Sequence, residues 1–225
     1  MQRRTVSTGG RDITVFSFTE DPAAPLMAVL AEEATGHQLV PDLLDSSLHL
    51  ALIPAEDWFR DLTPWPAPNP FQADQPFGGG AEQWLPFLRQ AVEDIEREMA
   101  LTPCWRGLAG YSLAGLFAVW AAYHSALFLR IGSVSGSMWY EGFLPFMRQH
   151  KLRALPVRAY FSYGDREAST RMPGGEPLEE LTRQAESHLR QEGSQTLLEV
   201  NPGNHFADTG PRLLRAIRWL TGGDL

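Results

Sequence analysis

RGLAGYSLAGLFAVWAAY, Arg106 to Tyr123, is the stretch from which the fold is read. Cys104 to Tyr111 has the apolar character of a buried strand. The residues after Ser112, LAGLFAVWAAYHS, read as a helix that is apolar nearly all round, hence one buried on most sides. Between the two stands a serine among small residues. The fragment Gly110-Tyr111-Ser112-Leu113-Ala114-Gly115 follows a G-x-S-x-G spacing, with alanine where the second glycine is expected. Two readings are open. Ser112 is an activated nucleophile on a sharp strand-to-helix turn, or it is a serine capping a helix.

Working outward, strand-like and helix-like segments alternate, which is the pattern of an α/β fold. Asp12 to Phe18 has period-two patterning, and Pro25 to Leu30 and Leu48 to Pro54 are short apolar runs suited to buried strands. TGHQLVPDLL between them reads as a short helix interrupted by proline. Ala55 to Gly80 is rich in Pro, Gly and aromatic residues and has no period. A loop of that length in a compact domain is expected to be functional, and its tryptophans argue for order, so it is read as a pocket rim. Trp84, Leu88, Ala91, Val92, Ile95 and Met99 recur at helical spacing. Phe128 to Ser135 and Val157 to Gly164 read as strands, GFLPFMRQHKL as a helix, and EPLEELTRQAESHLRQEG as an amphipathic surface helix. QTLLEVNPG is the last strand and GPRLLRAIRWLTGG the closing helix. The whole is expected to be one α/β domain over residues 1–225: a mostly parallel central sheet flanked by helices on both faces.

A serine hydroxyl reacts only when a base takes its proton, and the base needs an acid to orient it. On a nucleophile elbow these follow in the order serine, acid, histidine, each beyond a strand end. His205, in EVNPGNHFAD, is the one histidine of six that follows a late strand within a turn-rich loop. His188 reads as a solvated residue of its helix, His124 and His150 sit near helix C-termini, His49 lies inside a strand, and His37 precedes the serine. The acid is expected after the strand VRAYFSYG. GDREAST offers Asp165 and Glu167; a G-x-x-D/E spacing selects Glu167 and leaves Asp165 as a turn residue. The N–H of Leu113, opening the helix, would face a developing oxyanion. Ser133, Ser135 and Ser137 in GSVSGSMWY lack glycines on both sides, so this turn is read as a pocket wall with Met138 and Trp139 as apolar contacts. Trp58 and Trp65 are expected to line the same pocket.

Together, DWFRDLTPW, FGGGAEQWL, GYSLAGLFAVWAAY, SVSGSMWY, GDREAST and NPGNHF resemble the putative-esterase branch of the α/β-hydrolase superfamily, over roughly residues 25 to 220. That branch includes siderophore trilactone esterases and other small bacterial hydrolases. The resemblance implies Ser112 as nucleophile, His205 as base and an acid in GDRE. It also implies one oxyanion donor at Leu113 and a second near Ala31 to Glu33, assigned to Glu32. The chain departs from the pattern at Ala114, and its N-terminal region reads as short, with reduced first strands.

The expected activity is that of a serine carboxylic-ester hydrolase working through an acyl-enzyme. An acyltransferase on the same residues and a non-catalytic protein of the same fold are the alternatives. The net charge of −8 and pI near 5.2 argue against nucleic-acid and anionic-membrane surfaces, so the expected partner is a small-molecule ester. No spacing of His, Cys, Asp and Glu suits a metal, and FGGGAEQW lacks a P-loop lysine, so no cofactor or metal is expected. The single cysteine, Cys104, permits no intrachain disulfide. Without an apolar stretch of 18 or so residues, or a secretory run in MQRRTVSTGGRDITVF, a cytoplasmic location is expected.

Overall fold

The computed structural model describes residues 1–154 and 158–222. Ten strands and seven α-helices follow one another along the described chain. β1 (Gln2–Thr8), β2 (Arg11–Ser17), β3 (Leu26–Leu30) and β4 (His49–Leu52) come first, with α1 (Glu33–Leu39) and a 3-10 turn (Val40–Leu43) between β3 and β4. α2 (Trp58–Asp61), β5 (Pro66–Ala67) and β6 (Phe77–Gly78) lead to the long helix α3 (Ala81–Met99). Then β7 (Arg106–Tyr111), α4 (Leu113–His124), β8 (Arg130–Val134), α5 (Phe143–Gln149), β9 (Arg158–Gly164), α6 (Leu178–Gln191), β10 (Gln195–Asn201) and α7 (Thr209–Thr221) complete the alternation. Val157, expected to open the ninth strand, lies outside the described residues.

The main sheet has eight strands in the order β1-β2-β4-β3-β7-β8-β9-β10. β4, β3, β7, β8, β9 and β10 run parallel, and β1 and β2 run antiparallel at one edge. Parallel strands need a crossover for each return, which the intervening helices supply. One core lies between the sheet and α3, α4 and α6; it takes Leu26, Ala28, Leu108, Ile131 and Phe161 from the strands. The other lies against α1 and α7 and takes Met27, Val29, Ala109, Val134 and Tyr160. Alternate residues of β3 go to opposite faces, as a strand of period two requires. α4 buries every residue from Leu113 to Tyr123, in keeping with its lack of a polar face.

Three expectations are corrected. The N-terminal region is not reduced: β1 and β2 form a full hairpin with Gln2 opposite Ser17 and Thr8 opposite Arg11. β1 is an exposed edge strand in which only Val6 and Thr8 are buried, so QRRTVST shows no apolar alternation. The segment after β4 is not a plain loop. Asp57 caps α2 by accepting from Phe59 and Arg60 N–H, and the buried Asp61 carboxylate accepts from Glu56 and Asp57 N–H at 3.1 and 2.9 Å. Gly79 N–H donates to Thr63 Oγ1 and Gly80 N–H to Arg60 O, folding the glycines onto the helix. His188 is not a solvated side chain: half-buried, its Nε2 lies 2.8 Å from Met147 O, which ties α6 to α5.

Because six strands are parallel, the chain leaves all of them at the same edge of the sheet. The turns after β3, β4, β7, β8, β9 and β10 therefore gather on one side, where open α/β sheets bind ligands.

Candidate active site

β7 leaves the sheet at Tyr111, and one residue later the chain is already in α4. Ser112 makes that transition with φ 58° and ψ −119°, a conformation that costs a non-glycine residue on the order of 1–3 kcal/mol. The turn is tight enough that a Cβ on Gly110 would lie 2.4 Å from Ala114 Cβ. The same Cβ would lie 2.6 and 2.7 Å from Ala114 C and O, so position 110 must be glycine whatever stands at 114, while position 114 can carry a methyl group. Ser112 occupies the N-cap position of α4 but makes no capping bond. Its Oγ points instead to His205, with Nε2 at 3.1 Å.

His205 follows β10, in a loop that turns back over β7. Its Nδ1 lies 2.7 Å from Glu167 Oε2. A carboxylate only accepts, so Nδ1 carries the proton and Nε2 is left as an acceptor facing the Ser112 hydroxyl. Glu167 follows β9 and is buried. Its Oε1 accepts from Gly164 N–H at 2.7 Å and from Ser135 Oγ at 2.9 Å. Burial alone would raise the Glu167 carboxyl. The hydrogen bonds from His205, Gly164 and Ser135, with the charge His205 can carry, outweigh it and hold the carboxyl below its ordinary value. Asp165 does not face the imidazole: its Oδ1 accepts from Gly203 N–H at 2.8 Å and shapes the turn.

Two participants were not foreseen. Ser135, read as pocket wall, lies beneath the carboxylate with φ 43° and donates to it. Arg212, from α7, is 2 % exposed, and its Nη1 lies 3.7 Å from Glu167 Oε1. Nη1 also donates to Tyr111 Oη at 3.0 Å and to Ser135 Oγ at 3.1 Å, and Nη2 to Pro202 O at 2.6 Å. Tyr111 Oη in turn donates to His205 O at 2.6 Å. Burial raises the Tyr111 phenol above its ordinary value, so it remains a donor. The signal for Arg212 was one arginine on the apolar stripe of the closing helix, beside Leu213, Ala216, Ile217 and Leu220.

The remaining expected site residues stand as follows. Leu113 opens α4, where a first-turn N–H has no helical acceptor. Leu30 pairs with Gly110, so Glu32 and Ser112 each lie two residues beyond a paired position at the same sheet edge. Glu32 is exposed and caps α1, with its carbonyl accepting from Thr35 N–H. Trp139 is half-buried and meets exposed Phe71 edge-on at 5.3 Å. Its segment is tied to the serine through Ser137 N–H, which donates to Ser112 O at 3.1 Å. Trp58 is partly exposed at the start of α2. Trp65 and Met138, expected to line the pocket, pack inward. Trp65 packs among Tyr140, Phe143 and Phe146 with its Nε1–H on Glu141 O, and Met138 is buried in the core. Phe206, next to His205, is 85 % exposed with its ring 5.2 Å from the imidazole. Among the described residues no three His, Cys, Asp or Glu side chains group to hold a metal ion. None of the described helices is long and apolar enough to cross a membrane.

The chain is similar to known proteins. A family model described as Putative esterase matches residues 40–220. An uncharacterized protein of Bacillus subtilis, YbbA, is 29 % identical over 202 residues, covering 86 % of this chain and 79 % of its own. The crystal structure of an IroE-like serine hydrolase from Shewanella oneidensis superposes with a TM-score of 0.78 at 16 % identity, over 98 % of this chain and 80 % of that one. A siderophore hydrolase, EstA, from Aspergillus nidulans does so with a TM-score of 0.73 at 17 % identity, over 98 % and 94 %. These structures share the α/β-hydrolase fold with this chain.

Proposed function

The chain belongs to the Putative esterase family and is an esterase-type hydrolase; on that premise we propose that it cleaves carboxylic esters with Ser112 as nucleophile, His205 as general base and Glu167 as the orienting acid. One observation carries the reading: an unbroken line from Glu167 Oε2 to His205 Nδ1 at 2.7 Å and from Nε2 to Ser112 Oγ at 3.1 Å. His205 Nε2 takes the hydroxyl proton as Oγ attacks the ester carbonyl. The carbonyl oxygen gains the charge, and backbone N–H groups at Leu113 and near Glu32 stabilise it at the positive end of α4. The tetrahedral intermediate collapses, and the imidazolium returns its proton to the departing alcohol. Water, deprotonated by His205, then attacks the acyl-Ser112 carbonyl and releases the acid. Glu167, ionised throughout, stabilises the imidazolium that forms in each half.

The substrate side is apolar. Trp58 opens α2 in the connection after β4, Phe71 lies in the same connection, and Trp139 and Phe206 stand on the turns after β8 and β10, at the sheet edge that carries Ser112; three of the four are exposed. This favours a small-molecule ester with an aromatic or extended apolar part. The test is hydrolysis of p-nitrophenyl acetate and butyrate by the wild type and by Ser112→Ala, with fluorophosphonate labelling located by mass spectrometry. Loss of both activities in the variant is expected, with the label on Ser112. Equal rates for the two proteins would reject the proposal.

A further inference from the structure

Arg212 is a buried cation on the apolar face of α7, where a leucine would ordinarily pack. A guanidinium stays charged in any protein environment, so its burial must be offset by hydrogen bonds. The partners it has gathered are not scattered through the core. Tyr111 is the residue before Ser112, Ser135 holds Glu167, and Pro202 begins the loop of His205. Through Tyr111 the guanidinium reaches the carbonyl of His205 itself. Two glycines make room for it. A Cβ on Gly164 would lie 2.9 Å from Arg212 Nη2, and one on Gly203 would lie 3.3 Å from the same atom. The glycines of SYGDRE and NPGNHF thus border a space that a helix residue outside both motifs fills.

We propose that Arg212 is a positioning residue: its guanidinium fastens the loop of His205 to the turn of Ser112 and to Glu167, and so sets the distance between imidazole and hydroxyl. The inference rests on the Ser112–His205–Glu167 reading above. Arg212 does not touch the reacting atoms. It acts through Tyr111, Ser135 and the Pro202 carbonyl. The other main-chain ties between the end of β10 and the turn after β9 all precede His205: Asp165 N–H donates to Asn201 O at 2.8 Å, Arg166 N–H to Gly203 O at 3.2 Å, and Gly203 N–H to Asp165 Oδ1 at 2.8 Å, while His205 is partly exposed and Phe206 largely so. Without the guanidinium, Tyr111 keeps its bond to the His205 carbonyl but loses the donor that fixes its own hydroxyl.

The test compares Arg212→Met, Arg212→Lys and Tyr111→Phe with the wild type. Three quantities are read: kcat and KM on a p-nitrophenyl ester, the thermal midpoint, and the low-field NMR resonance of the His205 Nδ1 proton. Arg212→Met is expected to lower kcat on the order of 100-fold, the cost of misplacing a catalytic group by about 1 Å, with KM little changed. Its Nδ1 resonance should shift or broaden at temperatures where the protein is folded. Arg212→Lys restores part of the rate, because an ammonium supplies the charge without the planar fork. Tyr111→Phe gives an intermediate loss by cutting only the link to the His205 carbonyl.

A folded Arg212→Met with wild-type kcat overturns the proposal. So does a loss of kcat with the His205 resonance unchanged, or one that follows the thermal midpoint alone and is not relieved by lysine. Should the methionine variant fail to fold, Arg212→Lys and Tyr111→Phe decide by the same criteria. The resonance reports geometry without turnover. A Ser112→Ala protein that retains activity would therefore defeat the triad reading by a separate route.

Discussion

Gly110→Ala adds a single methyl group at the tightest point of the turn that carries Ser112. The new Cβ would lie 2.4 Å from Ala114 Cβ, 2.6 Å from Ala114 C and 2.7 Å from Ala114 O. Ordinary contacts between carbon atoms fall at about 3.5–4.0 Å, so β7 and the first turn of α4 must part by roughly 1 Å. Two of the three obstructing atoms are backbone and the third is a methyl group without rotamers. No side-chain movement can therefore relieve the overlap, and overpacking of this kind costs about 1–3 kcal/mol. The displacement passes to Ser112, which joins the two elements. Its Oγ is 3.1 Å from His205 Nε2, and roughly 1 Å of added separation takes it out of hydrogen-bond range. The rate should fall on the order of 100-fold while the protein stays folded. Ala114→Gly removes only the closest of the three atoms, so alone it should leave the rate near wild type and cost at most about 1 kcal/mol in helix propensity. Added to Gly110→Ala it should restore part of the rate, not all, because the two backbone contacts remain. Ester hydrolysis and urea denaturation of the four proteins measure both effects. A Gly110→Ala enzyme with wild-type rate and midpoint would refute the steric reasoning, as would a double variant no better than the single one.

Glu167→Gln should lower kcat by up to about 10⁴-fold. Gly164 N–H and Ser135 Oγ both donate to the Oε1 side, so the amide oxygen stays there and the NH2 group faces His205. Nδ1 must then accept, the proton moves to Nε2, and the base is lost; an activity within tenfold of wild type would contradict this. The same variant tests the charge of the carboxylate. The native Glu167 carboxyl lies below its ordinary value of 4.5, so its ionisation stabilises the fold above that pH. The contribution is lost as pH falls from 4.5 through the lower native value, and denaturation midpoints of Glu167→Gln should fall less steeply across that window. Phe206→Ala should leave stability within about 0.5 kcal/mol, since the ring is almost wholly exposed. It should raise KM for aromatic and long-chain esters by about tenfold, the worth of partly covering such a ring, and leave acetate hydrolysis nearly unchanged. A uniform change across the ester series would remove Phe206 from the substrate face.

Much of this site is legible because of what a parallel sheet does to a chain. Each strand delivers its following turn to the same edge, so the sequence positions of Ser112, Glu167 and His205 after β7, β9 and β10 are enough to bring them together. The choice of Glu167 over Asp165 follows the same logic at finer scale. Asp165 comes too soon after β9 and is taken up by Gly203 N–H, whereas two more residues return the side chain over the strand end. What the pattern hides is anything that reaches the edge from outside the turns. Arg212 lies on a helix packed against one face of the sheet, and its sequence neighbours give only an amphipathic period with one charge in the apolar stripe. β1 is hidden for the opposite reason: an edge strand buries too little to impose a period. The glycines offer the one trace of Arg212 in the motifs themselves. Gly203 has φ 97° and a turn would account for it, but Gly164 closes β9 without a positive φ. A Cβ there would meet Gly203 O at 2.2 Å as well as the guanidinium. A glycine at a strand end whose backbone does not require it signals that another group must come close, and here one of those groups is the arginine that ties the histidine loop to the serine turn.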